Sequence, residues 1–271
     1  MGSISDFGEA HLLDHCFNTA YTPAATIYLA LCTADPTDAG TGASMSECAN
    51  TGSYARTAIT FGAATSRRVT QNATVTFPAA TGAWGTVAYW AVVDSATYGA
   101  GNVLATGQFS PPKSIVTGNT PSVPASTIFV EYSSGAISTY LANKLLDLMF
   151  RNTAYAKPAT YIALTTATIA DADTGSTITE PSGNAYARKQ VNINGGASPA
   201  WGLASGGSVT NGSSIDFTAA SGSWGVVVAA AVTDAASAGN LLFYDNGIVD
   251  QAVDINDTVS FNASAYTVTM S

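Results

Sequence analysis

Two histidines, three cysteines and 18 carboxylates are the residues of this 271-residue chain whose types and spacing could do chemistry. His11 and His15 stand at i and i+4, a spacing that chelates zinc when both lie on one helix face. Here Leu12 follows the first histidine, where a metalloprotease helix would carry its general-base Glu. Cys16, Cys32 and Cys48 are odd in number, which argues against a closed disulfide framework; a Cys32–Cys48 bridge stays open. Asp35, Asp38 and Glu47 recur in kind as Asp171, Asp173 and Glu180, each set in a polar, Gly-containing loop. Such carboxylates could hold a hard cation or serve as a glycosidase pair. Neither spacing follows a calcium-loop pattern, and loop carboxylates commonly serve solvation. No Gly-x-Ser-x-Gly elbow occurs, and Gly40-Thr41-Gly42 is not followed by Lys-Ser/Thr. With no histidine in either β region, a Ser-His-Asp triad cannot be assembled there. The expectation is a chain with no catalytic, metal or cofactor site.

The strongest reason for that expectation is internal. The chain repeats itself: Ile4-Ser5, Leu12-Leu13-Asp14 and Phe17 return as Ile137-Ser138, Leu145-Leu146-Asp147 and Phe150. Tyr54-Ala55-Arg56 returns as Tyr186-Ala187-Arg188, and Phe77, Trp84-Gly85 and Asp94 return as Phe217, Trp224-Gly225 and Asp234. At the places of His11 and His15 the second repeat carries Lys144 and Leu148, and at those of Cys16 and Cys32 it carries Met149 and Thr165. Residues needed to build the unit should occur twice. On that basis Trp84 and Trp224, Asp94 and Asp234, and Arg56 and Arg188 are structural anchors. The Trp pair heads apolar strands and fits a sandwich core. The Asp pair suits caps of the turns that follow. The Arg pair is placed to meet a carboxylate or a carbonyl. Trp90 and Trp201, read as having no aromatic partner in the other repeat, are the candidates for a surface that differs between the repeats.

Composition narrows the partners. Charged residues make up 10% of the chain, against a usual share of about 25%, so the surface must consist largely of Thr, Ser, Asn, Gly and Ala, which suits packing in an assembly. Net charge is −9, and Arg67-Arg68 and Arg188-Lys189 are the only adjacent basic pairs. No basic stripe is available for phosphates, which argues against a nucleic-acid partner. The longest apolar run, Val226 to Val232, is too short to span a bilayer. Residues 1–6 lack a signal-peptide pattern, so synthesis in a cytoplasm without secretion is expected.

The elements that must position these residues are legible in outline. Leu141, Leu145, Leu148 and Met149 make a helical stripe capped by Ser138, and Phe7, Leu12, Leu13, Cys16 and Phe17 a rougher one capped by Ser5, with Gly8 weakening it. β-Branched and aromatic runs follow: Thr26 to Leu31, Tyr54 to Phe61, Thr74 to Phe77, Trp84 to Val93, Val103 to Phe109 and Ile128 to Tyr132, with equivalents in the second repeat. Units of about 135 residues are of domain size. The fold class expected is mainly β: two tandem β-sandwich domains of jelly-roll or Ig-like kind, residues 1–134 and 135–271, each opened by a short N-terminal α-helix and joined near Ser133-Ser134-Gly135.

Leu145 to Leu164, Tyr186-Ala187-Arg188, Phe217 to Gly225, Asp234 and Gly239 to Leu242 together resemble small virion proteins of tailed bacteriophages, often labelled tail-fibre-like or minor structural proteins. The first repeat follows the pattern more loosely. The turn that is usually Gly-Asp-Thr in that family reads Gly118-Asn119-Thr120 and Asn256-Asp257-Thr258 here. The resemblance implies a non-enzymatic, multimeric virion component, either a tail appendage or a capsid decoration, whose partners are itself and other phage structural proteins. A trimer of a two-domain chain would present six similar units. The alternatives are a carbohydrate-binding module that attaches to a host surface glycan through Trp90 and Trp201, and a polysaccharide depolymerase working through Asp38 or Asp173.

Overall fold

The computed structural model describes residues 2–132 and 136–270; the join expected at Ser133-Ser134-Gly135 lies outside the described residues. The chain is mainly β, with two β-sandwich units of curled sheets and one helix per repeat.

The first repeat supplies β1 (Gly2–Ile4), α1 (Asp6–Phe17), β2 (Ile27–Cys32), β3 (Thr57–Ile59), β4 (Arg68–Thr70), β5 (Val75–Thr76), β6 (Gly85–Val93), β7 (Val103–Ile115), β8 (Ser122–Val123) and β9 (Phe129–Glu131). The second supplies α2 (Thr139–Arg151), β10 (Tyr161–Thr165), β11 (Lys189–Gln190), β12 (Ser208–Thr210), β13 (Ile215–Asp216), β14 (Gly225–Val227), β15 (Ala229–Thr233), β16 (Leu241–Asp245), β17 (Gln251–Val253), β18 (Ser260–Phe261) and β19 (Thr267–Thr269). In the first repeat β3-β2-β6-β7-β1-β9-β4 form one sheet, and β5 pairs β8. The second repeat breaks the same plan into β11-β10-β15-β16 and three two-stranded pairs. Its single expected run from Trp224 divides at Val228, where the backbone N–H turns to Thr165 O (2.9 Å). The run expected from Val103 to Phe109 continues as one strand through Ser114 to Ile115.

Small residues set the core geometry. Ala30, Ala91 and Val103 lie on one face of the first repeat's sheet, and Ala163, Ala231 and Leu241 on the matching face of the second. Their short side chains leave room for the long loop of each repeat, residues 35–53 and 171–185, which packs Met45 in one repeat and Ile178 in the other against the strands.

Both helices begin alike. Ser5 Oγ accepts the N–H of Gly8 at 3.2 Å and donates to Val103 O. Ser138 Oγ accepts the N–H of Leu141 at 3.1 Å and donates to Leu241 O. The cap satisfies an orphan helical donor, and its hydroxyl proton ties the helix start to its own repeat's sheet. Gly8, which weakens α1 by propensity, is required by space: a Cβ there would lie 2.5 Å from Ile4 Cγ2.

The helix ends are exchanged. One compact unit consists of Met1–Glu9, Thr22–Ser133 and Asn143–Tyr155; the other of Ala10–Tyr21, Ser134–Ala142 and Ala156–Ser271. In the first unit Phe150, from the second repeat, packs on Phe61 with ring centroids 5.3 Å apart. Asp147 Oδ1 there accepts the N–H of Ala64 (2.8 Å), and Asn143 Oδ1 that of Arg67 (2.9 Å). In the second unit Phe17, from the first repeat, packs on Trp201 at 4.5 Å and on Phe243 at 5.5 Å. Its carbonyl accepts the N–H of Asn194 at 3.0 Å. Each unit therefore completes its core with an aromatic ring from the other repeat, and a buried Phe of this kind contributes roughly 1.5–3 kcal/mol.

Candidate functional site

The densest polar cluster in each unit is centred on the recurrent arginine. Tyr54-Ala55-Arg56 enters β3, which turns the Arg56 side chain under the long loop. There Arg56 Nε and Nη2 donate to Glu47 at 2.9 and 2.8 Å, and the remaining N–H groups reach Ser95 O, Ala100 O and Gly42 O at 2.9, 2.7 and 3.1 Å. Tyr54 Oη donates to Glu47 Oε1 at 2.7 Å and accepts the N–H of Leu31 at 3.0 Å. The second unit repeats this. Arg188 donates to both Glu180 oxygens, to Thr233 Oγ1, and to the carbonyls of Ala235, Ala238 and Gly175. Tyr186 Oη donates to Glu180 Oε1 at 2.6 Å. The planar fork of arginine suits this role, since it meets a carboxylate and several carbonyls at once. Burial, before any other cause, pushes the Tyr54 and Tyr186 hydroxyls upward. They are therefore held as hydrogen-bond donors.

A second device fixes the strand-end turn that this arginine grips. Asp94 accepts the N–H and the side-chain amide of Asn102 at 2.6 and 2.7 Å. Asp234 accepts the same two groups of Asn240, both at 2.7 Å. The preceding Gly101 and Gly239 have φ of 80° and 73°, and a Cβ on either would strike the aspartate oxygen at 2.4 or 2.5 Å. The Gly-Asn dipeptide is thus the receptor for the aspartate, a role that sequence reasoning missed. Its signal was the recurrence of Gly-Asn after both aspartates, obscured because the two turns differ in length by two residues.

Trp84 and Trp224 close the other end of the cluster. Their indole N–H groups donate to Gly52 O and Asn184 O at 2.8 and 2.9 Å. Their rings stand edge-on to Tyr54 and Tyr186, at 5.1 and 5.2 Å. The turn that departs from the family pattern keeps its bond in both repeats. Asn119 Oδ1 accepts the N–H of Val116 (3.0 Å), and Asp257 Oδ2 that of Asp254 (2.8 Å).

The expectation that Trp90 and Trp201 form a divergent surface is corrected by their burial, at 2% and 1% exposure. Trp90 lies beneath Gly2, whose Cβ would meet the ring at 2.2 Å; Ala230 holds its place in the second repeat. Trp201 donates to Thr160 Oγ1 at 2.8 Å and fills the core beside Phe17. It also has an aromatic counterpart. The bridges Phe61–Gln71 and Trp201–Asn211 are equivalent, so Phe61 holds its place in the first repeat. The carbohydrate-binding alternative loses both of its named residues.

The remaining candidates also serve the fold. His15 is buried, and its Nδ1 accepts the N–H of Tyr21 at 3.1 Å; His11 lies edge-on to Tyr21. Among the described residues, no three His, Cys, Asp or Glu side chains gather as a metal ion requires. Asp35 accepts the N–H of Thr37, Asp173 that of Ala170, and Asp171 the hydroxyl of Tyr244. Cys16, Cys32 and Cys48 are free and buried. Burial pushes all three thiols up, Cys48 to about 11, which keeps them unreactive. Glu9, at the start of α1, is raised to about 7 by burial and then by Asp38 and Asp6.

A cavity of about 340 Å³ in the first unit lies between residues 149–152 and strands β2 and β3, with Arg151 the ionisable residue in its lining. A second, about 120 Å³ and mostly apolar, lies along β7 beside Val87, Phe109 and Lys113. Neither brings together a nucleophile and a base.

No curated protein matches this chain. The sequence model of the family described as podophage GP4 fiber I protein gp80 matches it twice, over residues 3–131 and again over 136–269. The two matches span nearly all of the sequence and fall on the two repeats, so the chain belongs to the podophage GP4 fiber I protein family, as a tandem duplication.

Proposed function

We propose that this chain is a non-enzymatic structural component of a podophage fibre, carried on the virion, which packs against copies of itself and against other virion proteins as a tail appendage. Membership of a phage fibre family supports the virion setting. The observation that carries the non-enzymatic reading is the use of the duplicated polar residues. In both units the arginine, glutamate, tyrosine and aspartate that a catalytic centre would draw on are bonded to one another and to backbone groups. What remains on the surface is mostly small and uncharged, which lets neighbours pack at low desolvation cost. Such a surface would equally suit a capsid-decoration protein, and particle labelling separates the two.

The test is to purify intact particles and label the chain with gold-tagged antibody. Label at the tail, at a constant number of copies per particle, is the expected result. Label over the capsid would move the protein to decoration. Its absence from particles, or release of reducing sugar from host polysaccharide by the pure protein, would overturn the reading in favour of a depolymerase.

A further inference from the structure

The two repeats diverge at the rim where β7 runs in the first unit and β16 and β17 in the second. There the first unit has a continuous strand that carries Phe109, Pro111 and Lys113. With Val87, Pro121 and Val123 these residues line the mostly apolar groove of about 120 Å³. In the second unit the strand is interrupted. Residues 246–250 bulge between β16 and β17, and Val249 at the crest is 89% exposed. Val226 and Ala252 oppose each other across β14 and β17 on the outward side, and Ile255 follows two residues after β17. Strand register places Thr86 and Ser114 of the first unit where the second has Val226 and Ala252. The second repeat has thus exchanged a polar rim for an apolar one, and the first has opened an apolar slot.

Size and charge suggest that the two fit each other. An apolar cavity of about 150 Å³ holds a benzene ring, so a slot of about 120 Å³ takes a branched aliphatic side chain. Lys113 is exposed at the lip of the slot, whereas Asp250 and Asp254 flank the apolar tip. Both surfaces are open to solvent in the single chain. We propose that Val249 of one chain inserts into the Phe109–Pro111–Lys113 slot of a second copy, with Asp250, its exposed chain neighbour, meeting Lys113. The contact is heterologous, head to tail, and propagates into a ring or a row of chains rather than stopping at a twofold dimer.

This inference rests on the proposed self-packing and names its surfaces. The test is sedimentation of the full chain over a concentration series, alone and with Val249→Asp, Lys113→Glu and the double variant Lys113→Glu/Asp250→Lys. Wild type should form concentration-dependent oligomers larger than dimers. Val249→Asp and Lys113→Glu should each weaken association by about tenfold or more, and the charge swap should recover part of it. Mixing Val249→Asp with Lys113→Glu should yield dimers, because each retains one intact half of the contact. A wild type that stays monomeric at every concentration would sink self-packing itself. Oligomers that ignore Val249→Asp would leave self-packing standing and overturn this contact.

Discussion

The arginine cluster and the β7 rim of the first unit have had opposite histories since the duplication. Around Arg56 and Arg188 the main partners recur: a glutamate, itself bonded by a tyrosine, and carbonyls from the same loops, with Thr233 Oγ1 added in the second unit. At the rim the strand is whole in one unit and broken in the other, and its outward residues change from Thr and Ser to Val and Ala. Such a cluster is hard to alter piecemeal, because removing one member strands a buried charge. A rim can change one residue at a time at little cost to the fold. Shared buried polar residues therefore report on how the unit is built, and the diverged rim is where function can be added.

The comparison can be broken most forcefully at the arginines. The Arg56 and Glu47 side chains are 0% and 2% exposed, whereas Glu180 beside Arg188 is 19% exposed. Arg56→Ala should cost about 3–5 kcal/mol in urea denaturation, since Glu47 stays buried and unpaired. Arg188→Ala should cost less, because water reaches Glu180. Equal losses would mean that burial does not set the cost.

Next come the exchanged rings. Phe150→Ala should cost about 3–4 kcal/mol, and hydrogen exchange should place the loosening in first-repeat strands β2 and β3. Phe17→Ala should act reciprocally near Trp201. Loosening confined to the repeat that carries the mutation would contradict the exchange. Trp201→Phe, which copies the first unit's Phe61, should cost about 2 kcal/mol, from the lost bond to Thr160 and the space the indole leaves in the core.

A smaller effect separates the repeats by pH. Glu9 has a folded value raised from 4.5 to about 7, with Ala142 in its place in the second repeat. The folded state binds that proton more tightly than the unfolded chain does. Stability from this group is therefore greatest below pH 4.5 and falls as pH rises toward 7. The unfolding midpoint of Glu9→Ala should fall less than that of the wild type between pH 5 and pH 8; an unchanged difference would remove Glu9 as its source.

Much of the fold was legible because its signals are local. Ser5 and Ser138 announce the helix starts by cap chemistry, and alternating β-branched runs announce the strands. The recurrent arginine was readable as a carboxylate partner, but not its glutamate, because the long loop hides which of its carboxylates folds back. Trp201 was misread because loop lengths shift the alignment between helix and strands. Only the offset that pairs Trp84 with Trp224 brings Phe61 opposite Trp201. The helix exchange left no trace in the pattern. Both helices carry the same apolar residues toward their ends, Leu12, Leu13 and Phe17 in one and Leu145, Leu146 and Phe150 in the other, so nothing in that pattern assigns either end to its own sheet.

The most direct measurement is the copy number of Val249→Asp chains in purified particles, alongside their unfolding midpoint. Val249 is 89% exposed, so its midpoint should stay within about 0.5 kcal/mol of wild type. Its copy number per particle should fall well below that of the wild type. Normal incorporation of a normally stable Val249→Asp chain would contradict the claim that the repeats diverged to assemble.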